Sequence, residues 1–366
     1  MDSNILMSAN LQAKKDRPFF SAGKICDVFR SGNLMELGFL SGRCRKDRSG
    51  ACIMCDYGVA KGTYAVTEYL LEMNRVLEEA GHDVDILLLC TNGSFLDESQ
   101  VSGELFQAVL ERAAQTRARL IEIEAHYCDV TAEKLRRIKE LLPGKRIAIE
   151  MGLETVNPLY QSHIIMKGIH LPDYEKTLSL IQSFGMTAEV NIMVGLPFLS
   201  AREQMEDALA TIQWAFRRSC RVVLFPMNIK PYTLLMDMYR SEHYRPVSQW
   251  MLPLLLDTLS DGELERVTVA WYGNREEIYP FSGERAVFPR ACPACTAAVE
   301  RFYPRFLVAQ GGAERKALLA ELLAQDCGCL EDARRARSAD APGSFLSRYE
   351  AYVSYLKTQG FGGHEL

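Results

Sequence analysis

The chain has 366 residues, of which 48% are apolar and 24% are charged, and its formal net charge is −5. This length suffices for one large α/β domain with an appendage. The charge excludes a strong global attraction for a nucleic-acid backbone, and no apolar run is long enough to cross a membrane. Because residues 1–21 also lack the apolar stretch of a signal peptide, we expect a soluble, cytoplasmic protein without a membrane partner.

The first 34 residues show little periodicity, and we predict an N-terminal extension over residues 1–34. From residue 35, short apolar runs alternate with segments of helical period, which is typical of β/α units around a parallel sheet. The predicted strands are residues 35–40, 84–90, 119–126, 146–154, 187–195, 221–228 and 266–271, and the helices between them are residues 63–80, 98–116, 132–142, 200–218 and 247–260. Six or seven units predict an α/β fold with a partial (β/α)6–7 TIM-like barrel over residues 35–272, followed by a small, cysteine-containing helical region over residues 273–366.

Three of the predicted strands carry polar side chains on one face and apolar side chains on the other. A filled barrel interior consists of branched aliphatics, so inward carboxylates and amides predict an open lumen that holds a polar ligand. Unpaired buried carboxylates are costly, and their excess favours a substrate with an amine or another cation. The polar faces comprise Glu122, Glu124 and His126, then Glu150, Gly152 and Glu154, then Glu189, Asn191 and Met193.

A loop after the first barrel strand contains Cys44, Cys52 and Cys55, with the spacing C-x7-C-x2-C. Close thiols in an intracellular protein indicate a bound metal. A closed structural zinc site needs four protein ligands, whereas a [4Fe–4S] cluster held by three cysteines keeps one iron open for another ligand. The loop therefore predicts an iron–sulfur reaction site, with a zinc loop or buried thiols as the alternatives.

This loop resembles the cysteine loop of radical S-adenosylmethionine (SAM) enzymes, most of which space their cysteines C-x3-C-x2-C. The longer first gap resembles the archaeosine-forming branch, which is related to the catalytic subunit of elongator and to the methylthiotransferases. Four further stretches occur in the order expected for this branch, and the match covers roughly residues 35–330. They are residues 91–97 (TNGSFLD), 152–155 (GLET), 191–197 (NIMVGLP) and 244–246 (YRP).

The resemblance implies a radical reaction. Cys44, Cys52 and Cys55 would bind a [4Fe–4S] cluster, and SAM would complete the coordination of its open iron. Reductive cleavage of SAM would give a 5′-deoxyadenosyl radical that abstracts a hydrogen atom from the substrate. Such an enzyme needs a reductase, a ferredoxin or a flavodoxin as its electron donor.

The resemblance also assigns SAM-binding residues near the carboxyl ends of the strands, where barrel active sites lie. The stretch after the second strand would meet the methionyl ammonium, and Glu154 would bind that amine or the ribose. Asn191 and Gly195 would flank the adenine and the ribose, and two residues beside the last cluster cysteine would pack on the adenine. For each, the alternative is an ordinary role in a turn, at the surface or in packing. The full set is Met54, Tyr57, Thr91, Asn92, Gly93, Ser94, Glu154, Asn191 and Gly195.

Further polar residues are candidates for binding or acting on the substrate in the remaining lumen. They are Glu124, His126, Lys230 and Tyr232, together with Glu150 and Asn228. A satisfied structural histidine is an equal alternative for His126.

A second cysteine set near the C-terminus has four thiols at metal-ligand spacing: Cys292, Cys295, Cys327 and Cys329. Four thiolates suit structural Zn2+, and a saturated second iron–sulfur cluster is the rival. The remaining cysteines, Cys26, Cys90, Cys128 and Cys220, are predicted to be core residues.

Together these patterns predict a radical SAM enzyme. We expect a small polar substrate that bears an amine or an amino acid, with bond cleavage or rearrangement as the outcome. The alternative is a tRNA-modifying enzyme; tRNA is less favoured because no RNA-binding module is evident and residues 229–234 (IKPYTL) lack the glycine-threonine pair frequent in relatives. A more remote alternative is a metal-binding interaction protein without catalysis.

Overall fold

The computed structural model describes residues 2–15, 25–31, 33–40, 42, 44–56, 64–80, 84–91, 93–270, 284–340 and 342–361. Tyr57 and Asn92, two of the predicted SAM-binding residues, lie outside the described residues, as does the predicted boundary between residues 272 and 273. The division into three regions therefore stays a prediction.

The sheet of the described chain has eight strands in sequence order. β1 runs antiparallel to β2, and every later pair is parallel. The sheet curls into a half-barrel, which confirms the predicted α/β partial barrel. The strands are β1 (Cys26–Ser31), β2 (Leu34–Phe39), β3 (Ile86–Thr91), β4 (Leu120–Ala125), β5 (Arg146–Glu154), β6 (Thr187–Val194), β7 (Arg221–Pro226) and β8 (Val267–Val269).

The two faces of the central strands follow from side-chain alternation. Ile121 and Ile149 have no exposed surface and belong to the apolar core. The strand register sets Glu150 directly opposite Glu189 on one side and Glu124 on the other. Because paired positions point to the same face of a sheet, these carboxylates share the inner face.

Helices pack against the sheet, and several begin at a side chain that caps the first turn. Ser102, Thr131 and Ser200 each accept a hydrogen bond from the backbone N–H three residues later, which satisfies a donor that the helix leaves unpaired. The helices are α1 (Asp2–Ala13), α2 (Arg45–Arg48), α3 (Val66–Ala80), α4 (Gly103–Ala114), α5 (Ala132–Leu141), α6 (Pro158–Tyr160), α7 (Leu171–Ser183), α8 (Ala201–Arg217), α9 (Leu234–Arg240), α10 (Met251–Leu256), α11 (Asp261–Leu264), α12 (Pro293–Val308), α13 (Gly312–Leu323), α14 (Gly328–Ala336) and α15 (Phe345–Thr358), with a 3₁₀ turn (Tyr127–Asp129) after β4 and a π turn (Gln161–Ile165) after α6.

Buried apolar side chains form two clusters. The barrel cluster joins the strands to the helices around them and to α12, α13 and α14. The terminal cluster joins α1, the cysteine loop, α9 and α15. In the part of the chain that the structure describes, no helix combines the length and the apolar character needed to span a membrane.

Candidate active site

The cysteine loop follows β2 at the carboxyl-end edge of the sheet, where barrel active sites lie. Cys44 directly precedes α2, and Cys52 has a positive φ of +55°. The backbone N–H of Cys52 donates to the carbonyl of Ile165 at 3.1 Å, and that of Cys55 donates to the Cys52 carbonyl at 2.9 Å. This anchored turn sets two of the predicted ligands side by side.

Asn10 holds the loop from the N-terminal helix. Its amide donates to the carbonyl of Gly50 at 2.8 Å, and its oxygen accepts from the backbone N–H of Leu234 at 3.1 Å. Asn10 is fully buried, and Gly50 has a φ of +79°, which favours glycine. Sequence reasoning missed Asn10 because its partners lie 40 and 224 residues away along the chain.

The two cysteine sets differ in the spacing of their sulfur atoms. Among the described residues, the ligand atoms of the four C-terminal cysteines all lie within 4.8 Å of one another, whereas those of Cys44, Cys52 and Cys55 do not form such a group. Charge interactions of Cys52 with Cys44 and Cys55 still place the three thiols in one neighbourhood. Each cysteine of a [4Fe–4S] cluster binds a different iron, so its ligands stand farther apart than ligands of one ion. The loop fits such a cluster.

His126, a predicted lumen residue, lies against the first cysteine. Its Nε2 is 3.7 Å from Cys44 Sγ, and its backbone N–H donates to Ser94 Oγ at 3.1 Å. Burial, and then the cations Lys167 and Arg45, lower the pKa of His126 to about 3. The imidazole is therefore neutral at physiological pH.

Lys167 is a partly buried cation beside the same loop, and sequence reasoning did not find it. Its ammonium pairs with the carboxylate of Glu154, which has a φ of +70°. Although burial opposes it, Glu154 and then Cys52 raise the pKa of Lys167. A Cβ on Gly152 would lie 2.7 Å from the Glu154 carboxylate and 2.9 Å from the Lys167 ammonium, so glycine leaves room for the pair. The one signal in the sequence was a lysine in the otherwise apolar run of residues 164–169.

Lys167 also affects the pKa of Cys52, one of the predicted cluster ligands. Burial raises the pKa of the Cys52 thiol to about 12, and the nearby ammonium of Lys167 works against that shift. A cation at this position favours the thiolate form that binds iron.

The segment after β3 is held by Gln100, another residue that sequence reasoning missed. The Gln100 side-chain oxygen accepts from Thr91 Oγ1 at 3.2 Å and from the backbone N–H of Ser94 at 3.3 Å, and its amide donates to Asp97 at 3.0 Å. A Cβ on Gly93 would lie only 2.5 Å from the Gln100 oxygen. Gly93 thus permits the close approach of Gln100, and three of the predicted SAM-binding residues share one network.

The remaining predicted SAM-binding residues lie at the ends of β6 and the cysteine loop. Asn191 is buried and hydrogen-bonds to Glu150. Gly195 has a φ of +114°, and its carbonyl accepts from the Tyr244 hydroxyl at 2.6 Å. Met54 is buried in the terminal cluster. The YRP stretch therefore supports the NIMVGLP stretch through a single hydrogen bond.

The lumen contains three buried carboxylates whose oxygens lie within 4.8 Å of one another, those of Glu122, Glu150 and Glu189. Arg221 pairs with Glu189 at 3.2 Å. Burial, and then Glu189, raise the pKa of Glu122 to about 8, and burial with the charge of Glu124 raises that of Glu150 well above its usual range. The lumen accordingly carries an excess of acidic groups near neutral pH.

Two predicted lumen residues have other surroundings. Lys230 pairs at 2.9 Å with Asp56, the residue after Cys55. Tyr232 has a φ of +57° and lines a cleft of about 440 Å³ between α1, α9 and α15. Of the four residues predicted to act on the substrate, Glu124 and His126 thus lie at the carboxyl end of β4, and Lys230 contacts the cysteine loop.

The four C-terminal cysteines converge as the sequence predicts. The sulfurs of Cys292 and Cys327 are 3.6 Å apart, and the backbone N–H of Cys292 donates to Cys329 Sγ at 3.3 Å. Cys292 and Cys327 directly precede α12 and α14, where the helix dipole favours a thiolate. Hydrogen bonds from Cys295 and the other two thiols lower the pKa of Cys292 to about 7. The set can bind one metal ion.

The four isolated cysteines do not all lie in the core. Cys26, Cys90 and Cys220 are buried, as predicted, but the prediction is wrong for Cys128. Cys128 is exposed in the 3₁₀ turn, and its sulfur accepts from Arg45 at 2.9 Å. The turn follows β4 at the open edge of the barrel, outside the alternation that buries strand residues.

Comparison with known proteins gives two curated relatives. Archaeosine synthase subunit beta of Methanosarcina acetivorans is 25% identical over 297 residues, which are 80% of this chain and 82% of that protein. The protein of the same name from Thermococcus kodakarensis is 28% identical over 214 residues, 57% of this chain and 66% of that protein. No family model matches the chain.

Among solved structures, the archaeal Elp3 of Methanocaldococcus infernus is 15% identical with a TM-score of 0.40, and the match covers 56% of this chain and 51% of that one. The methyltransferase TsrM of Kitasatospora setae is 13% identical with a TM-score of 0.42, over 90% of this chain and 62% of that one. The chain thus spans about half to two thirds of these two structures. The curated relatives confirm the predicted resemblance to the archaeosine-forming branch, and with it the prediction of an enzyme.

Proposed function

We propose that this chain cleaves SAM reductively at an open [4Fe–4S] cluster bound by Cys44, Cys52 and Cys55. The observation that carries the proposal is the anchored cysteine loop at the carboxyl-end edge of the half-barrel, with the partly buried Lys167 beside its thiols. When bound, the cluster and SAM would supply a 5′-deoxyadenosyl radical.

The protein's own residues then have supporting tasks. Lys167 offsets the negative charge of the thiolates, and Gln100 holds Thr91 and Ser94, which would lie near the methionyl group. Glu154, held by Lys167, is placed to accept from the SAM amine or ribose. α1 closes over the loop through Asn10, which helps to exclude water from a reactive intermediate.

We further propose that the substrate is a modified nucleoside of tRNA. The similarity to archaeosine synthase subunit beta over four fifths of both chains supports this choice. The name of that relative also favours a second subunit as partner, which would supply the tRNA-binding surface that this chain, with its net charge of −5, lacks as a global feature.

A free small amine or amino acid is the second candidate. It is favoured by the buried carboxylates of the lumen and by the terminal helices, since α1 packs with the cysteine loop in the terminal cluster. Both candidates share one requirement, a cationic or strongly hydrogen-bonding group that complements the acidic inner face of the lumen.

At the four C-terminal cysteines we propose structural Zn2+. Around one ion at about 2.3 Å from each sulfur, tetrahedral ligands lie roughly 3.8 Å from one another. The 3.6 Å between Cys292 and Cys327, and the 4.8 Å limit on the whole group, are close to this spacing. A [4Fe–4S] cluster needs a wider set.

The first experiment is anaerobic reconstitution with iron and sulfide, followed by reduction with SAM and an assay of 5′-deoxyadenosine. We expect product from the natural sequence and from Cys26→Ala, whose thiol lies outside both cysteine sets, and none from Cys52→Ala. Failure of the natural sequence to bind iron would refute the proposal.

The substrate is tested by adding tRNA, with and without a co-purified partner, or a panel of amino acids and amines. Stimulated 5′-deoxyadenosine formation with a mass change in a tRNA nucleoside supports the first candidate. Stimulation by amines alone, with no change in the RNA, supports the second.

A further inference from the structure

The contact between His126 and Cys44 joins two predicted parts of the site that the sequence keeps 82 residues apart. Cys44 Sγ lies 3.7 Å from Nε2 of the imidazole, within hydrogen-bonding range for sulfur. The ring nitrogen, not the ring edge, faces the thiol. This orientation has consequences for the electron chemistry of a bound cluster, and the inference rests on the cluster site proposed above.

We propose that His126 is a positioning residue that donates an Nε2–H hydrogen bond to the Cys44 sulfur and thereby raises the reduction potential of the cluster. An imidazole with a proton on Nε2 can donate a hydrogen bond to a thiolate ligand at this distance. Reduction adds negative charge to the cluster and its sulfurs. A donor at a sulfur stabilises the reduced state more than the oxidised state.

The geometry around His126 is fixed by backbone contacts. Its N–H donates to Ser94 Oγ at 3.1 Å, and the neighbouring Phe95 N–H donates to the Glu124 carbonyl at 3.0 Å. Ser94 and Phe95 are almost fully buried. The ends of β3 and β4 are therefore joined, and the imidazole leaves the sulfur only through a change of its rotamer or a shift of this joined backbone.

The same contacts connect the cluster to the segment predicted to bind SAM. Ser94 belongs to the network held by Gln100, and His126 extends it to Cys44. Occupation of this segment can thus move the imidazole relative to the sulfur. We expect that SAM binding shifts the reduction potential of the cluster, and that the shift in the natural protein differs from the shift in a variant without the imidazole.

The test uses the full-length, reconstituted protein with the midpoint potential of its cluster measured by EPR-monitored redox titration. His126→Leu removes the donor at similar volume, and His126→Gln keeps an N–H near the position of Nε2. His170→Leu is the matched control, since His170 is exposed and bonds Asp173 on α7. We expect a more negative potential in His126→Leu, a value close to the natural one in His126→Gln, and no change in His170→Leu.

A second readout detects the hydrogen bond directly in the natural protein. In protein labelled with 15N-histidine, the hydrogen bond predicts a weak nitrogen coupling to the reduced cluster that His126→Leu abolishes. If His126→Leu binds the cluster and its midpoint potential is unchanged, the inference is refuted while the cluster proposal stays intact. A strong nitrogen coupling, typical of iron-bound nitrogen, would refute the inference in favour of direct ligation. If the natural protein binds no cluster, the proposed function itself fails.

Discussion

At the scale of single residues, the pairing of Lys167 with Glu154 decides much of the local electrostatics. The Glu154 carboxylate is buried and the Lys167 side chain is only 17% exposed, so each depends on the other for compensation of its charge. Gly152 gives the pair its space, and Cys52 places a potential thiolate beside the ammonium. The proposed cluster site, with three thiolates and a reduced cluster, would benefit from one fixed cation.

Lys167→Met should destabilise the fold, because it leaves the Glu154 carboxylate buried without its partner. We expect the free energy of unfolding to fall by about 3–5 kcal/mol in anaerobic urea titrations. Lys176→Met, which removes an exposed lysine of α7, is the matched control and should have little effect.

The double variant Lys167→Met/Glu154→Gln separates stability from function. It should regain most of the lost stability, since no unpaired charge remains, but not the capacity to bind the cluster and SAM. A double variant as unstable as Lys167→Met would show that the ion pair is not the cause.

At the scale of elements, β4, β5 and β6 form an unusual barrel wall. The strand registers bring Glu124, Glu150 and Glu189 into one inner row, and the cysteine loop lies beyond the carboxyl ends of the strands. Arg221 on β7 compensates Glu189. The row is stable near neutral pH because burial keeps part of it protonated.

Glu122 lies against this row, with its carboxylate near those of Glu150 and Glu189, and it predicts a pH dependence of stability. Burial and Glu189 raise the folded-state pKa of Glu122 to about 8, from an ordinary value of 4.5. The unfolded chain therefore loses this proton first, and the contribution of Glu122 to stability declines as the pH rises from about 4.5 to about 8.

Glu122→Gln removes that decline. Relative to the natural protein, the variant should gain about 2–4 kcal/mol of unfolding free energy between pH 5 and pH 8, at about 1.4 kcal/mol per pKa unit. Urea unfolding at both pH values measures the difference, with the exposed Glu133→Gln as control. Parallel pH curves for Glu122→Gln and the natural protein would contradict the assignment.

Periodicity predicted the elements well, because each strand and helix of the barrel carries its own apolar pattern. Arg146–Glu154 agrees at both ends with the predicted strand. The predicted helix at residues 247–260 is shorter, Met251–Leu256, because a turn at Ser248 precedes it and Ser260 caps the separate α11. Local pattern does not report where a continuous apolar run is divided.

Candidate site residues could be predicted where they belong to sequence motifs. They could not be predicted where their role depends on a tertiary contact. The cysteine spacings and the alternation in β4 indicated ligands and lumen from sequence alone. Lys167, Gln100 and Asn10 carry no motif, since each is defined by the group it meets after folding. Their roles depend on the turn geometry and the tertiary contacts that fix the ends of the strands.

At the scale of the whole molecule, the C-terminal helices extend the barrel's own core. Cys295 and Phe302 of α12 belong to the barrel cluster. Arg315 of α13 is buried and donates to the carbonyl of Val267 in β8 at 2.7 Å. The cysteine set that joins α12 to α14 therefore lies against the edge of the barrel, and the loss of a metal proposed there should destabilise more than the ligands themselves.

The contribution of this cysteine set to stability can be measured by removing one of its thiols. Cys327→Ser should lose about one Zn2+ per chain and lower the thermal midpoint by roughly 5–10 °C, because the binding free energy of a structural metal is part of the folding free energy. Cys128→Ser, which changes an exposed thiol outside both sets, should keep the metal and the midpoint. Elemental analysis with acid-labile sulfide and calorimetry make the measurement. If the natural protein contains iron and sulfide beyond one cluster per chain, and Cys327→Ser loses them, the site holds a second iron–sulfur cluster instead of zinc. An unchanged thermal midpoint would mean that the four thiols do not hold the C-terminal helices to the barrel.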